Sequence, residues 1–179
     1  GGAGCWQMAV HYADLFAGNT PGAGFSETPD FLKVFQKETL SPTWYEQKLW
    51  QWYDCPGYAA NLSHLPTIAY SGAVDSQIQA ARMMEAGYEH EGMKLLHLIG
   101  PKTGHSYHPE TKIEIESRLD SIMAEGRDPF PQRVHLTTYT LKYNRMYWAQ
   151  IDAMARHWER AQIDAAIIQD DVIGVLTEN

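Results

Sequence analysis

The chain has 179 residues, 44% of them hydrophobic and 20% charged, with a formal net charge of -8. That length supports one domain with a sizeable core, or one domain plus part of another. The acidic balance argues against a dedicated nucleic-acid binder, and no apolar run is long enough to span a bilayer, so neither nucleic acid nor membrane is an expected partner.

In chain order, "GGAGCWQMAVHYADLFAGN" comes first. Trp6, Ala9, Val10, Ala13 and Phe16 recur at helical spacing, and Gly18-Asn19 stand where a helix C-terminus is expected. The stretch has no initiating Met, no signal peptide and no polar tail, so further chain is expected ahead of Gly1. "AGNTPGAGFSETPD" reads as a Gly/Pro-rich loop, followed by a short helix around Phe31 to Lys37. Ser41-Pro42 suit a helix start, and Trp44, Tyr45, Trp50, Trp52 and Tyr53 predict a helix packed against apolar surface. "LPTIAYSG" predicts a short buried strand, "SQIQAARMMEAG" a helix closed by Gly87 with Met83 and Met84 in the core, "MKLLHLIG" a second buried strand, and "HPETKIEIESRLDSIMAEG" a helix closed by Gly126. Strands alternating with helices predict a parallel sheet of the α/β class.

Pro129 and Pro131 mark an expected domain boundary, dividing residues 1–128 from a β-rich accessory segment at 129–179. "VHLTTYTLKYNRMYWAQIDAM" predicts a hairpin turning at Tyr143-Asn144, and "AQIDAAIIQDDVIGVLTEN" a second turning at Asp170-Asp171. Two hairpins are marginal without more sheet, and the last strand runs to the final residues, so this segment is expected to be partial. Cys5 and Cys55 form neither a disulfide framework nor a CxxC pair, and they leave the compartment open.

Two loops follow predicted strands and carry chemistry. "YSGAVDSQ" puts Asp75 between a strand and a helix, and "LIGPKTGHSYHPE" puts His105 just past the next strand. Ligands and catalytic groups gather at the carboxyl ends of strands in open α/β sheets. Adjacent strands lie about 5 Å apart, so an Asp and a His from neighbouring loops reach hydrogen-bond distance. An acid that orients a His general base is two-thirds of a nucleophilic triad. Singly, each residue has a plainer reading: Asp75 as a helix N-cap, His105 as an ordinary loop residue. Their order on consecutive strands favours function.

Three stretches together resemble the catalytic domain of prolyl oligopeptidase-like serine hydrolases, of the α/β-hydrolase superfamily. "GGAGCWQMAVHYADLFA" resembles the helix after the nucleophile elbow, "IAYSGAVDSQIQAARMMEAG" the acid-bearing unit, and "LHLIGPKTGHSYHPET" the His loop. The resemblance covers roughly residues 1 to 126. It implies that Gly1 is the last Gly of a G-x-S-x-G elbow, with the nucleophilic Ser two positions ahead of it. It further implies the C-terminal half of an α/β-hydrolase sheet, Asp75 and His105 as catalytic residues, a peptide or ester substrate, and no cofactor.

Other residues carry less. Ser26 in "GFSET" matches the elbow except for Thr28, but no strand is legible before it. Cys5 reads as a helix Cys rather than a thiol nucleophile. His97, His105 and His108 lack the paired Cys/His spacing of structural zinc, so no metal is expected; Tyr107 and His108 are expected in a cleft wall. His64 and His135 are given no function. The contrasting reading is a non-catalytic binding or assembly module, in which the β-rich tail with Tyr143, Tyr147 and Trp148 pairs or packs with another chain and a truncated sheet's exposed edge and apolar face are covered in a homo-oligomer.

Overall fold

The computed structural model describes all residues, Gly1–Asn179. Helix α1 spans Gly2–His11 and buries Trp6, Ala9 and Val10. It stops seven residues before Gly18; a 3-10 turn at Ala13–Leu15 continues the chain and buries Ala13, while Phe16 lies partly in solvent. The next segment departs from the expected loop. Asn19 and Gly22 bridge in parallel to Thr67 and Tyr70. Asn19 and Ala23 donate backbone N–H groups to Pro66 and Tyr70, and Asn19 and Pro21 accept from Ile68 and Tyr70. Residues 19–23 therefore act as a strand, which Pro and Gly composition conceals.

Thr28–Asp30 form α2, which passes into a five-residue π turn at Phe31–Phe35. Helix α3, Trp44–Trp50, starts at a Thr43/Glu46 capping box. It does not pack its aromatics away: Trp44 is 76% exposed, and Tyr45, Leu49, Trp52 and Tyr53 are also exposed. A nine-residue 3-10 helix, Pro56–His64, was not predicted; it buries Tyr58, Ala59, Ala60, Asn61 and Leu62.

Strand β1 (Ile68–Gly72) is wholly buried and pairs in parallel with β2 (Leu96–Gly100). Strand β2 is only half-buried, with Ile99 exposed, because no strand flanks its other side. Helix α4, Ile78–His90, runs through Gly87 rather than ending there. Gly87 is small because it packs on Pro56 and Ala59 of the 3-10 helix, and Gly92, at φ +69°, makes the turn that follows. Met84 is core and Met83 half-buried. Helix α5, Pro109–Glu125, ends at Gly126 with φ +77°. Ile115 of α5 packs with Ile68 and Tyr70, while Ala69 joins the larger core with α1 and α4, so helices cover both sheet faces.

Strand β3 (Arg133–Thr138) does not fold back on its successor. It pairs antiparallel with β6 (Ala161–Gln169), which pairs with β7 (Val172–Glu178) around the expected Asp170-Asp171 turn. The Tyr143-Asn144 turn is instead a 3-10 turn, and a small hairpin of β4 (Arg145–Met146) and β5 (Ala149–Gln150) turns at Tyr147-Trp148. Val134, Leu136, Tyr143, Met146, Ile151 and Ala161 share one core with Trp6, Val10, Tyr58 and Met84, so that core crosses Asp128.

The join has a specific device. Asn61 and His64 are three apart on a 3-10 helix and so share a face. Asn61 accepts from the Thr137 N–H at 2.7 Å and donates to the Thr137 and Val10 carbonyls at 2.9 Å. The His64 Nε2 lies 2.9 Å from the His135 N–H and 3.1 Å from its carbonyl. Asn61 thus satisfies both backbone groups of Thr137, and His64 Nε2, accepting through its lone pair, satisfies the His135 N–H, on the outer edge of β3 where a further strand would otherwise pair.

Candidate active site

Asp75 occupies the loop between β1 and α4 and is 8% exposed. Its Oδ1 accepts the Gln77 N–H at 2.9 Å, and its Oδ2 lies 2.9 Å from the His105 Nδ1. One oxygen therefore serves the turn into α4 and the other meets His105. A carboxylate only accepts, so His105 donates through Nδ1–H and keeps Nε2 as its basic nitrogen. No protein group engages that Nε2, and the imidazole side chain is 67% exposed.

Backbone contacts hold the two loops together. Ala73 donates to Gly100 at 2.9 Å and Val74 to Thr103 at 3.0 Å. A Cβ on Gly72 would overlap the carbonyl oxygens of Thr103 and Gly104, so the strand end must be glycine for the His loop to sit there. Tyr70 secures the loop's far end: its hydroxyl donates to the Ser106 carbonyl at 2.9 Å and accepts from the His108 N–H at 2.8 Å. The Tyr70 ring stacks on Tyr107 at 4.5 Å between centroids. Sequence reasoning missed Tyr70; a Tyr in a buried strand, whose hydroxyl needs a partner, was the available signal.

Asp75 and His105 border a cleft of about 260 Å³ whose other walls include Gly1, Gly2, Cys5, Gly22 and Tyr107. A Cβ on Gly2 would overlap the carbonyls of Gly22 and Ala23, and one on Gly24 would press on the Ala3 nitrogen. The Gly-rich start of α1 is what lets its N-terminus reach this cleft. Burial raises the Tyr107 hydroxyl above the usual phenol range, with Cys5 and Tyr70 adding to the effect. His108 stands apart from the cleft as the residue preceding α5.

Ser26 is fully buried, and its hydroxyl donates to the Ala80 carbonyl at 2.7 Å. A strand-like segment does precede it, contrary to expectation, but the hydroxyl is committed to α4. His97 is not drawn to His105 or His108. Its Nδ1 meets Glu85 at 3.0 Å and its Nε2 meets the Ser71 hydroxyl at 2.9 Å. This Ser71–His97–Glu85 chain has triad-like distances, but Ser71 is fully buried and does not line the Asp75–His105 cleft, so it braces β1, β2 and α4. No family model matches the chain, and no curated protein matches it.

Proposed function

We propose that this chain is part of a serine hydrolase of the prolyl oligopeptidase-like type, the C-terminal half of an α/β-hydrolase fold, with Asp75 and His105 as the acid and base. The observation that carries the reading is the 2.9 Å contact between Asp75 and His105 in a cleft that Gly1 and Gly2 also border. A serine two positions ahead of Gly1 would enter that cleft beside His105. The sheet edge there is open: residues 19, 21 and 23 face β1, while the backbone groups of Thr20 and Gly22 make no backbone hydrogen bonds. A preceding parallel strand would fill that edge and present the nucleophile at its carboxyl end.

In this reading the serine Oγ attacks an ester or amide carbonyl as His105 Nε2 takes its proton. His105 returns that proton to the leaving alcohol or amine as the acyl–oxygen or acyl–nitrogen bond breaks. Water then enters by the same route and releases the acid. Asp75 holds the His105 tautomer and stabilises the imidazolium. The test is hydrolysis of a p-nitrophenyl ester and a peptide p-nitroanilide by the protein extended upstream through the presumed elbow. His105→Ala is expected to lower kcat by at least about 10³-fold, since the triad acts as a unit. An unchanged kcat refutes the assignment, and the better substrate separates esterase from peptidase.

A second reading, a non-catalytic module that assembles with another copy, is favoured by β7 rather than by Tyr143, which is buried in the core, or by Tyr147 and Trp148, which pack against that core. On β7, Val172, Ile173, Val175 and Leu176 are all exposed, and β7 has no neighbour beyond β6. Such an edge is a template for pairing. Light scattering would give a dimer that Val175→Lys dissociates; a monomer at all concentrations rejects this reading.

A further inference from the structure

We propose that Tyr107 is a substrate-contact residue: its phenol O–H donates to a carbonyl oxygen on the leaving-group side of the scissile bond, so the cleft selects leaving groups that carry a carbonyl over plain hydrocarbon ones. On the hydrolase reading, on which this rests, His105 returns a proton to the leaving group. Tyr107 stands two residues beyond His105 on the same loop and borders the same cleft, so it faces that side of the substrate. The ring is held from below and from both ends. The Tyr70 hydroxyl takes the Ser106 carbonyl at 2.9 Å and the His108 N–H at 2.8 Å, which pins the backbone on either side of residue 107. The Tyr70 ring lies against the Tyr107 ring at 4.5 Å between centroids and 25° between planes.

Gly22, another wall of the cleft, makes room for the hydroxyl: a Cβ there would meet the Tyr107 hydroxyl oxygen at 2.7 Å and Cζ at 3.3 Å. The two stacked phenols differ in what their hydroxyls do. That of Tyr70 is doubly engaged within the chain, while that of Tyr107 makes no hydrogen bond there, on a residue 45% exposed. One phenol of the pair is structural and the other is free to meet a ligand. A side chain already fixed by its neighbours loses little freedom on binding, so more of a hydrogen bond's strength reaches the substrate. Burial first, then Cys5 and Tyr70, raise the hydroxyl above the usual phenol range, which keeps it protonated and a donor at neutral pH. The matching partner is an acceptor, and a carbonyl oxygen offers two lone pairs. A leaving alcohol made only of hydrocarbon leaves the phenol unpaired in the cleft, and a polar group left unpaired is what rejects the wrong substrate.

The test uses the protein extended upstream through the presumed elbow and two esters with one acyl group, the butyryl esters of glycolamide and of 1-propanol, followed by release of butyric acid. Tyr107→Phe keeps the stacked ring and removes only the hydroxyl. It is expected to lower kcat/KM for the glycolamide ester at least about fivefold and to leave the propyl ester within about twofold, the loss of one hydrogen bond. Equal losses on both esters, or a loss on neither, would overturn the proposal while His105-dependent hydrolysis left the hydrolase reading standing. Hydrolysis of neither ester in a His105-dependent way would overturn both. The placement of the hydroxyl is checked in the present chain without any activity. Gly22→Ala should lower the urea midpoint, and Tyr107→Phe should restore part of that loss by removing the atom in the way. Additive effects of the two substitutions would show that the hydroxyl does not lie against Gly22 and would overturn the proposal.

Discussion

Single positions decide whether the two loops meet. Gly72 leaves no room for a methyl beside Thr103 and Gly104. Gly72→Ala should therefore displace the His loop and cost about 1–3 kcal/mol, the range for overpacking. Urea denaturation reads the loss, and the His105 Nδ1–H resonance reports separation from Asp75. Asn61→Ala strands the Thr137 N–H and carbonyl and the Val10 carbonyl in the core. At about 1–3 kcal/mol for a buried group left unsatisfied, it should be among the most damaging single substitutions. Amide exchange at Thr137 should accelerate with it. Asp75 and His105 were legible because each follows a strand signal. Tyr70 and Asn61 were not, because their roles depend on partners 36 to 76 residues away in sequence.

At the scale of elements, periodicity located α1, α4, α5, β1, β2 and the β6–β7 hairpin. It failed where tertiary context outvoted local signals. Residues 19–23 join the sheet despite Pro21 and Gly22, since the backbone hydrogen bonds fall on 19, 21 and 23 and avoid the proline nitrogen. The 3-10 helix at Pro56–His64 has a poor pattern of its own and is held by the core around it. Aromatic content misled at α3: hydrophobic side chains were expected inside, but exposure of a large apolar residue is ordinary. Trp44→Ser should change stability by no more than about 0.5 kcal/mol in thermal unfolding, as for surface sites generally.

For the whole molecule, one core spanning Asp128 means that unfolding of the β-rich segment exposes the face it shares with α1 and the Pro56–His64 helix. His64 lies at this join, and burial, its largest influence, lowers its pKa. A His with a lowered folded pKa binds more protons when unfolded. It therefore withdraws stability as pH falls below about 6.5, with a limiting slope of about 1.4 kcal/mol per pH unit. His11 acts in the same sense down to about pH 3. Asp54, raised to about 6 chiefly by burial, acts oppositely between its unfolded value of 3.8 and about 6. His64→Gln keeps a hydrogen-bonding group at His135 without the titration, so urea midpoints at pH 5 and pH 7 should lie closer together than in the parent chain.

The hydrolase assignment rests on a serine meeting His105, and covalent labelling tests that meeting most directly. A fluorophosphonate probe would be applied to this chain and to the chain extended upstream through the presumed elbow, followed by peptide mass mapping. The expected result is labelling of the extended protein alone, at a serine two positions before Gly1, abolished by His105→Ala. Labelling at Ser26, or a folded extended protein that takes no label, would contradict it.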